Sequence, residues 1–213
     1  MQTIYQKTLS DTMYYNKIPV FTYTIHYPFF MTTCNDAAAQ RINCSYAGKA
    51  RELEIYCRTV LYPQAVESAR YIKDNQPPFY SYELLSEYHI TFNSGCITSL
   101  YTDQYTFMGG AHGSTVRDSQ TWDFVTGCQL DLRSFYPYCP VFPHNIFSDL
   151  EAQIKERLTE TPGSYFDDYA ILLRKNFNEK SYYLRPEDIT IYYQQYDIAP
   201  YSTGIPEFQF RFS

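Results

Sequence analysis

Two β-hairpin signals lie on either side of a glycine-rich loop and limit the possible folds more than any other pattern in the chain. Aromatic and β-branched residues fill positions 79–92 and 96–107. They are joined by Asn-Ser-Gly at 93–95, where Asn and Gly tolerate the positive φ of a tight turn. The same pattern recurs around Thr-Gly at 126–127. Two successive hairpins predict an antiparallel sheet in the middle of the chain.

Helical periodicity is confined to separate blocks. Asn35 is a predicted N-cap, and an apolar stripe at helical spacing marks a helix that Pro63 interrupts. Strands and helices do not alternate strictly, which favours an α+β fold with mainly antiparallel sheets and packed helices. The predicted helices are 35–62, 64–73, 145–159 and 165–176, and the further strands lie within 3–30 and at 181–184, 188–194 and 208–212.

The break at Pro77-Pro78 is the best candidate for a domain boundary, because this pair ends the second helix. We therefore predict a small N-terminal α+β lobe at 1–77 and a larger C-terminal α+β domain at 78–213, which carries the glycine-rich loop. No internal repeat and no low-complexity linker occurs.

Tyrosine is unusually frequent, with 24 Tyr among 213 residues, beside 15 Phe and 1 Trp. Its ring is apolar and its hydroxyl is polar, so tyrosines suit half-buried strands. They are also favoured at binding surfaces. Sheet packing is the simpler interpretation, and a binding face for sugars or protein is the alternative.

The formal net charge of −6 argues against non-specific nucleic-acid binding and against an electrostatic membrane anchor. Residues 1–12 lack the basic start and apolar core of a signal peptide, and no stretch is long and apolar enough for a membrane helix. The expected location is therefore cytoplasmic, unless an export segment has been removed.

The six cysteines form no Cys-x-x-Cys pair, so neither a zinc ribbon nor a thioredoxin-like motif is indicated. A chain of this length does not need a disulfide framework, and we expect mostly reduced, buried thiols. The four histidines have no HxH, HxxH or HxxxH spacing, which predicts no metal and no cofactor. The residues are Cys34, Cys44, Cys57, Cys96, Cys128 and Cys139, with His26, His89, His112 and His144.

The glycine-rich loop at 107–114 is the most unusual local feature. It has neither the ending of a phosphate-binding P-loop nor a GxSxG nucleophile motif. Glycines let backbone approach backbone or a ligand closely. A structural tight loop is the favoured interpretation, and a ligand-facing loop with Gly109, Gly110 and His112 is the alternative.

Two further groups of residues are candidates for a site. His112 could form an acid–base pair with Asp118 or Asp123, although backbone hydrogen bonding and solvated strand carboxylates explain these residues equally well. In the tail, Pro and Gly fix the turns around Tyr201 and Gly204. That segment is either a rigid loop packed on the sheet or one that exposes Tyr201 to a ligand.

Three segments together resemble the C-terminal extracytoplasmic domain of RsiV-type anti-sigma factors and PdaC-type peptidoglycan deacetylases. They are Tyr-Thr-Phe-Met-Gly-Gly-Ala-His-Gly at 105–113, Trp-Asp-Phe-Val-Thr-Gly at 122–127 with Leu-Asp-Leu at 130–132 and Phe135, and the tail at 192–207. Residues 18–75 are similar, less closely, to the smaller domain that precedes it.

The resemblance implies a non-catalytic module exposed to the cell envelope. In the anti-sigma relatives this module binds lysozyme, and in the deacetylases the chemistry lies in a separate domain. The first hypothesis is therefore a binding module for a lysozyme-like protein or wall glycan. The alternatives are a cell-wall hydrolase that uses His112 and Asp123, and a structural or oligomerisation domain.

Overall fold

The structure, a computed structural model, describes residues 1–75, 79–138 and 145–212. These residues form two compact units. Unit 2 consists of Gln2–Tyr88 and Thr102–Thr115, and unit 1 consists of Met1, His89–Tyr101 and Val116–Ser213. The α+β prediction, with mainly antiparallel sheets, is confirmed.

Unit 2 begins with a long hairpin. For this part of the chain the sequence predicted strand within residues 3–30, with a break, but not the hairpin. Strand β1 (Thr3–Tyr15) pairs antiparallel with β2 (Ile18–Met31). Asn16 and Lys17 connect them with φ of 50° and 66°. Positive φ at both central residues is typical of the type I′ turn, whose twist matches that of the flanking strands.

A long helical segment follows the hairpin. Asn35 caps α1 (Asp36–Tyr56) by accepting hydrogen bonds from the backbone N–H of Ala37 and Ala38, as predicted. Pro63 does not end the helix. Instead a π-helical turn, Cys57–Leu61, leads directly into α2 (Tyr62–Asn75). Proline lacks an N–H and its ring crowds the carbonyl four residues earlier, which favours such a widened turn.

The helices form the crossover to strand β3 (Tyr82–Ser94), which pairs parallel to β2 from Phe21↔Tyr82 to Ile25↔Ser86. A parallel pair requires a crossover of this kind, and it is the exception to the antiparallel pairing. The core of unit 2 lies between these strands and the helices. Its buried residues are Val20, Phe21, Tyr23, Ile25, Ala50, Cys57, Leu61, Ala65, Tyr82 and Leu84.

Both predicted central hairpins are present. Gly95, with φ of 56°, turns β3 into β4 (Ile97–Phe107), and Gly127, with φ of 72°, lies between β5 (Ser114–Asp123) and β6 (Cys128–Gln129). The strand order is β1-β2-β3-β4-β5-β6. Strands β3, β4 and β5 contribute residues to both units.

Unit 1 has its own core, built by two helices and a three-stranded sheet. The elements are α3 (Ile146–Glu160), α4 (Tyr169–Lys175), β7 (Tyr182–Leu184), β8 (Asp188–Tyr192) and β9 (Glu207–Arg211), with antiparallel order β7-β8-β9. Ile146, Leu150 and Ile154 of α3 pack with Leu173 and the strands. The four-residue spacing of apolar side chains in α3 is therefore core-facing, as predicted.

The expectation of reduced, buried cysteines is only partly right. Cys34 and Cys96 are disulfide-bonded. Cys57 is a buried free thiol, whereas the free thiols Cys44 and Cys128 are exposed. Spacing alone does not reveal which cysteines form disulfides, so no pairing was predicted.

Some sequence-based predictions fall outside the described residues. They concern Cys139, His144 and the boundary at residues 77 and 78. The division into 1–77 and 78–213 stays a prediction, although Thr102–Thr115 is grouped with the N-terminal residues. Within the described ranges, no helix is long and apolar enough to cross a membrane.

Candidate functional site

The glycine-rich loop of unit 2 joins β4 to β5, and packing accounts for Gly109 and Gly113. Gly109 and Gly110 have φ of 88° and 93°. A Cβ at Gly109 would lie 2.9 Å from the Tyr82 hydroxyl. At Gly113 a Cβ would overlap the Tyr105 ring and lie 2.7 Å from the Thr106 carbonyl oxygen. These contacts favour a tight structural loop, and a ligand-facing role of Gly109, Gly110 and His112 stays a prediction.

His112 is exposed in this loop, and its Nδ1 lies 2.9 Å from the carbonyl oxygen of Gly113. A carbonyl only accepts, so Nδ1 carries the proton in this bond. In the neutral ring Nε2 is then the acceptor atom. This hydrogen bond is the local backbone contact that the structural interpretation predicts.

Asp123 ends β5, and its carboxylate holds the following turn. It accepts hydrogen bonds from the Val125 N–H at 2.8 Å and from the Thr126 hydroxyl at 2.9 Å. The Gly127 N–H donates to the Asp123 carbonyl. His112 and Asp123 belong to different units, and their role as an acid–base pair stays a prediction, as does that of the exposed Asp118.

Tyr201 and Gly204 form a compact turn in unit 1. Residues Tyr201–Thr203 make one turn of 3₁₀ helix, and the Gly204 N–H donates to the Tyr201 carbonyl at 2.9 Å. Gly204 has φ of 73°. The Tyr201 ring lies 5.9 Å from that of Tyr196, a 54% exposed residue whose φ is also positive.

A groove of about 600 Å³ lies beside this turn. One wall is the end of α3 and the connection that follows it, and the other wall is the segment between Tyr201 and β9. Most of its lining side chains are polar. The lining residues are Arg157, Glu160, Thr161, Pro162, Gly163, Ser164, Tyr165, Ser202, Thr203, Ile205, Pro206 and Glu207.

Hydrogen bonds tie the two walls together. The Arg157 guanidinium donates to the Tyr165 hydroxyl at 2.9 Å and to the Glu207 carbonyl at 2.6 Å. The Thr203 hydroxyl donates to the Ser164 carbonyl at 2.6 Å. The bonds of Arg157 with Glu207 and of Thr203 with Ser164 join the two walls, and the bond of Arg157 with Tyr165 lies within the first wall.

Ser164 is the unusual residue of this groove. Its Oγ is buried and has no hydrogen-bond partner within the described protein. An unsatisfied buried polar group costs about 1–3 kcal/mol, so such groups are rare and call for an explanation. A hydroxyl of a ligand or a bound water would remove this cost.

Glu207 lines the groove and is held by ion pairs. Its carboxylate forms ion pairs with Arg117 and, at 3.2 Å, with Arg185. The buried Arg117 guanidinium also lies 3.7 Å from the centre of the Tyr101 ring. Burial raises the pKa of Tyr183, which Arg185 contacts, to about 12. These contacts stabilise the position of Glu207, which is the first residue of β9 and lines the groove.

Sequence reasoning singled out Tyr201 and Gly204, which lie beside the groove in the chain but do not line it. Their role as ligand-binding residues stays a prediction. The signal that was available for the groove is a second cluster of turn residues, Thr-Pro-Gly-Ser at 161–164, which resembles Ser-Thr-Gly at 202–204. Nothing in the sequence indicates that the two turns meet. Across the described parts of the chain, no group of three or more His, Cys, Asp or Glu side chains is placed to hold a metal ion.

Two family models match the chain in succession. The model "Deacetylase PdaC" matches residues 15–115, and "Protein of unknown function (DUF3298)" matches residues 142–213. The glycine-rich loop therefore falls within the first match, and the whole groove falls within the second. No curated protein matches this chain.

Two crystal structures of DUF3298 family proteins have a similar fold. The protein from Bacteroides fragilis has a TM-score of 0.70 and 17% identity, over 99% of this chain and 90% of that chain. The protein from Pseudomonas aeruginosa has a TM-score of 0.59 and 16% identity, over 99% of this chain and 91% of that chain. The resemblance predicted from the sequence is confirmed: this chain joins a segment similar to the PdaC family to one similar to the DUF3298 family, in the fold of solved DUF3298 proteins.

Proposed function

We propose that this chain is a non-catalytic binding module of the cell envelope, and that the groove of unit 1 takes a wall glycan. The observation that carries the proposal is the polar groove itself, with the buried, unpartnered hydroxyl of Ser164. The similarity to the PdaC family supports the envelope setting.

The chemistry of the groove suits a sugar chain. Glycans present many hydroxyl and amide groups together with apolar C–H faces. The groove offers the exposed Ser202 hydroxyl, the Glu160 carboxylate and apolar surface from Ile205 and Pro206, and the buried Ser164 hydroxyl lies at its lining. Binding sites of this kind use a few fixed polar groups to orient a ligand against apolar surface.

Two observations favour binding over catalysis. The Glu207 carboxylate, which lines the groove, is already engaged by two arginines. The His112 and Asp123 side chains hydrogen-bond their own turns. A general acid or base must instead reach a reacting atom of the substrate.

The test is calorimetric titration with a soluble, uncrosslinked wall oligosaccharide. Ser202, which is exposed in the groove, is replaced by Trp to fill it, and the matched control is Ser45→Trp, an exposed serine on α1. We expect Ser202→Trp to weaken binding by about tenfold or more, or about 1.4 kcal/mol. Ser45→Trp should bind as the wild type does. Absence of binding by the wild type, or equal binding by both variants, would overturn the proposal.

The hydrolase alternative is checked in the same samples. Chromatography of the oligosaccharide after incubation should show no new product. Product that forms with the wild type, and is lost in both His112→Ala and Asp123→Asn, would replace the binding proposal with the hydrolase.

The net charge of −6 favours a second candidate ligand, a basic lysozyme-like protein. Opposite charge speeds association, and the effect weakens as salt rises. A biosensor titration with a basic muramidase at low and physiological salt tests it. Binding that persists at physiological salt supports a specific complex, whereas binding that vanishes there indicates charge attraction alone.

A further inference from the structure

The first strand of unit 2 has an open edge. Strand β1 begins the order β1-β2-β3-β4-β5-β6, and each of its 13 residues is exposed or half-buried. Among the described residues, one hydrogen bond reaches the backbone of β1 apart from those of its ladder with β2. In it the Tyr62 hydroxyl donates to the Tyr14 carbonyl. The remaining N–H and C=O groups on that side form a template for another strand.

The usual protection of an edge strand is weak here. Edge strands are commonly short, or carry proline, several lysines or a bulge. β1 is long, has no proline and has Lys7 as its single basic residue. A register irregularity between Met13 and Tyr14 interrupts only its end.

We propose that β1 pairs antiparallel with β1 of a second copy of this chain, about a twofold axis at Leu9. Leu9 is the middle residue of Thr3–Tyr15, so this register uses the whole strand. An isologous contact of this type closes as a dimer. The proposal concerns unit 2 and does not depend on the groove of unit 1.

Charge complementarity selects this register. Pairing about Leu9 places Lys7 of each copy opposite Asp11 of the other, which gives two cross-strand ion pairs. These are the only two charged residues of β1. Asp11 already contacts Arg58 at 2.8 Å, but its side chain remains 39% exposed and has room for a second cation.

The other pairs also match by type. The face that carries Lys7 and Asp11 pairs Tyr5 with Met13, a favourable aromatic–sulfur contact. Tyr5 is 49% exposed beside the 37% exposed Phe29, so the partner would cover apolar surface. On the opposite face, the pairs nearest the twofold axis consist entirely of polar residues: Gln6 pairs with Thr12, and Thr8 pairs with Ser10.

The test is sedimentation equilibrium of the whole chain across a dilution series at physiological salt. We expect a monomer–dimer equilibrium. Lys7→Glu turns both ion pairs into repulsions and should weaken dimerisation by about tenfold or more. The matched control is Lys17→Glu, which makes the same charge change in the turn beyond the strand and should leave the dimer unchanged.

A second measurement locates the contact. Amide hydrogen exchange should slow with increasing protein concentration within residues 3–15, and not in β9, which is the last strand of the other sheet. A chain that stays monomeric at every concentration overturns the proposal. A dimer that Lys7→Glu and Lys17→Glu affect equally, or whose protection lies outside β1, overturns it as well.

Discussion

At the scale of single residues, close packing of the glycine-rich loop can be tested at Gly113. A Cβ at Gly113 would overlap the Tyr105 ring and lie 2.7 Å from the Thr106 carbonyl oxygen. We expect Gly113→Ala to lower the free energy of unfolding by about 2 kcal/mol, because a rigid backbone atom must move. Urea denaturation measures this loss.

Two other glycines are controls for this prediction. Gly110 has φ of 93° and open space around it, so Gly110→Ala should cost only the backbone strain of about 1–2 kcal/mol. Gly48 lies in α1 with nothing within 4 Å, and Gly48→Ala should gain up to about 1 kcal/mol. If Gly113→Ala is milder than Gly110→Ala, the steric explanation is wrong.

The cysteines give a second prediction at this scale. Burial raises the pKa of the Cys57 thiol to about 12, and the residue has no exposed surface. Because the thiolate is the reactive form, Cys57 should resist alkylation in the native protein. The exposed Cys44 and Cys128 should react.

The reactivity of each cysteine is measured by alkylating the protein without reductant and identifying the modified peptides by mass spectrometry. In denaturant Cys57 should react as well, while Cys34 and Cys96 should remain unmodified until a reductant is added. Alkylation of Cys34 or Cys96 before reduction would contradict the disulfide, and rapid native labelling of Cys57 would contradict its burial.

At the scale of elements, a buried polar network joins the hairpin of unit 2 to its helices. The Tyr23 hydroxyl donates to the Glu54 carboxylate at 2.7 Å, and Arg58 donates to the Tyr23 oxygen at 2.6 Å. The Tyr23 hydrogen bond, helped by Arg51 and Arg58, holds the pKa of Glu54 below its usual range against the opposing effect of burial. Glu54 therefore acts as a charged acceptor, which makes stronger hydrogen bonds than a neutral one.

Removing the hydroxyl alone tests this network. We expect Tyr23→Phe to lose about 2 kcal/mol at neutral pH, the value of a hydrogen bond to a charged group. Tyr14→Phe, at a 56% exposed residue of β1, is the control and should lose close to nothing.

The pH dependence of this loss has a definite sign. A carboxyl whose folded pKa is depressed stabilises the fold above its unfolded value, about 4.3, and loses that contribution as pH falls through the folded value. The difference between wild type and Tyr23→Phe should therefore shrink in acid. Guanidinium titrations at neutral and acidic pH measure it, and a difference that is constant or grows would mean that Glu54 is not the charged partner.

At the scale of the whole molecule, the compact units do not follow a single cut of the chain. Tyr82 and Leu84 of β3 are buried in the core of unit 2 with Val20 and Phe21. The ladder between β2 and β3 also crosses the predicted boundary at 77 and 78. A fragment that begins at 78 would expose these side chains to water.

The composition of unit 2 predicts which N-terminal fragments of the chain fold. A fragment of residues 1–115 retains every residue of unit 2, whereas 1–77 loses β3 and the core residues Tyr82 and Leu84. We expect 1–115 to show cooperative thermal unfolding by circular dichroism and 1–77 to show none. Cooperative unfolding of 1–77 would support the predicted domain boundary.

Local patterns determined much of the secondary structure. Asn35 as an N-cap, the apolar spacing of α3 and the turns at Gly95 and Gly127 were predictable because each depends on neighbouring residues. The first hairpin was missed because Asn16-Lys17 is not a standard turn pair, and Pro63 was expected to end a helix that continues through a π-helical turn.

Local sequence patterns therefore predicted most of the elements and their class, and the quoted motifs predicted the family resemblance, because periodicity, capping and turn chemistry act over a few residues. The grouping of Thr102–Thr115 with the N-terminal residues and the meeting of the two turns that form the groove became visible in the folded structure. Contacts such as Arg157 with Glu207 join residues far apart in the chain. Their partners are set by packing of the folded molecule, which no local pattern records.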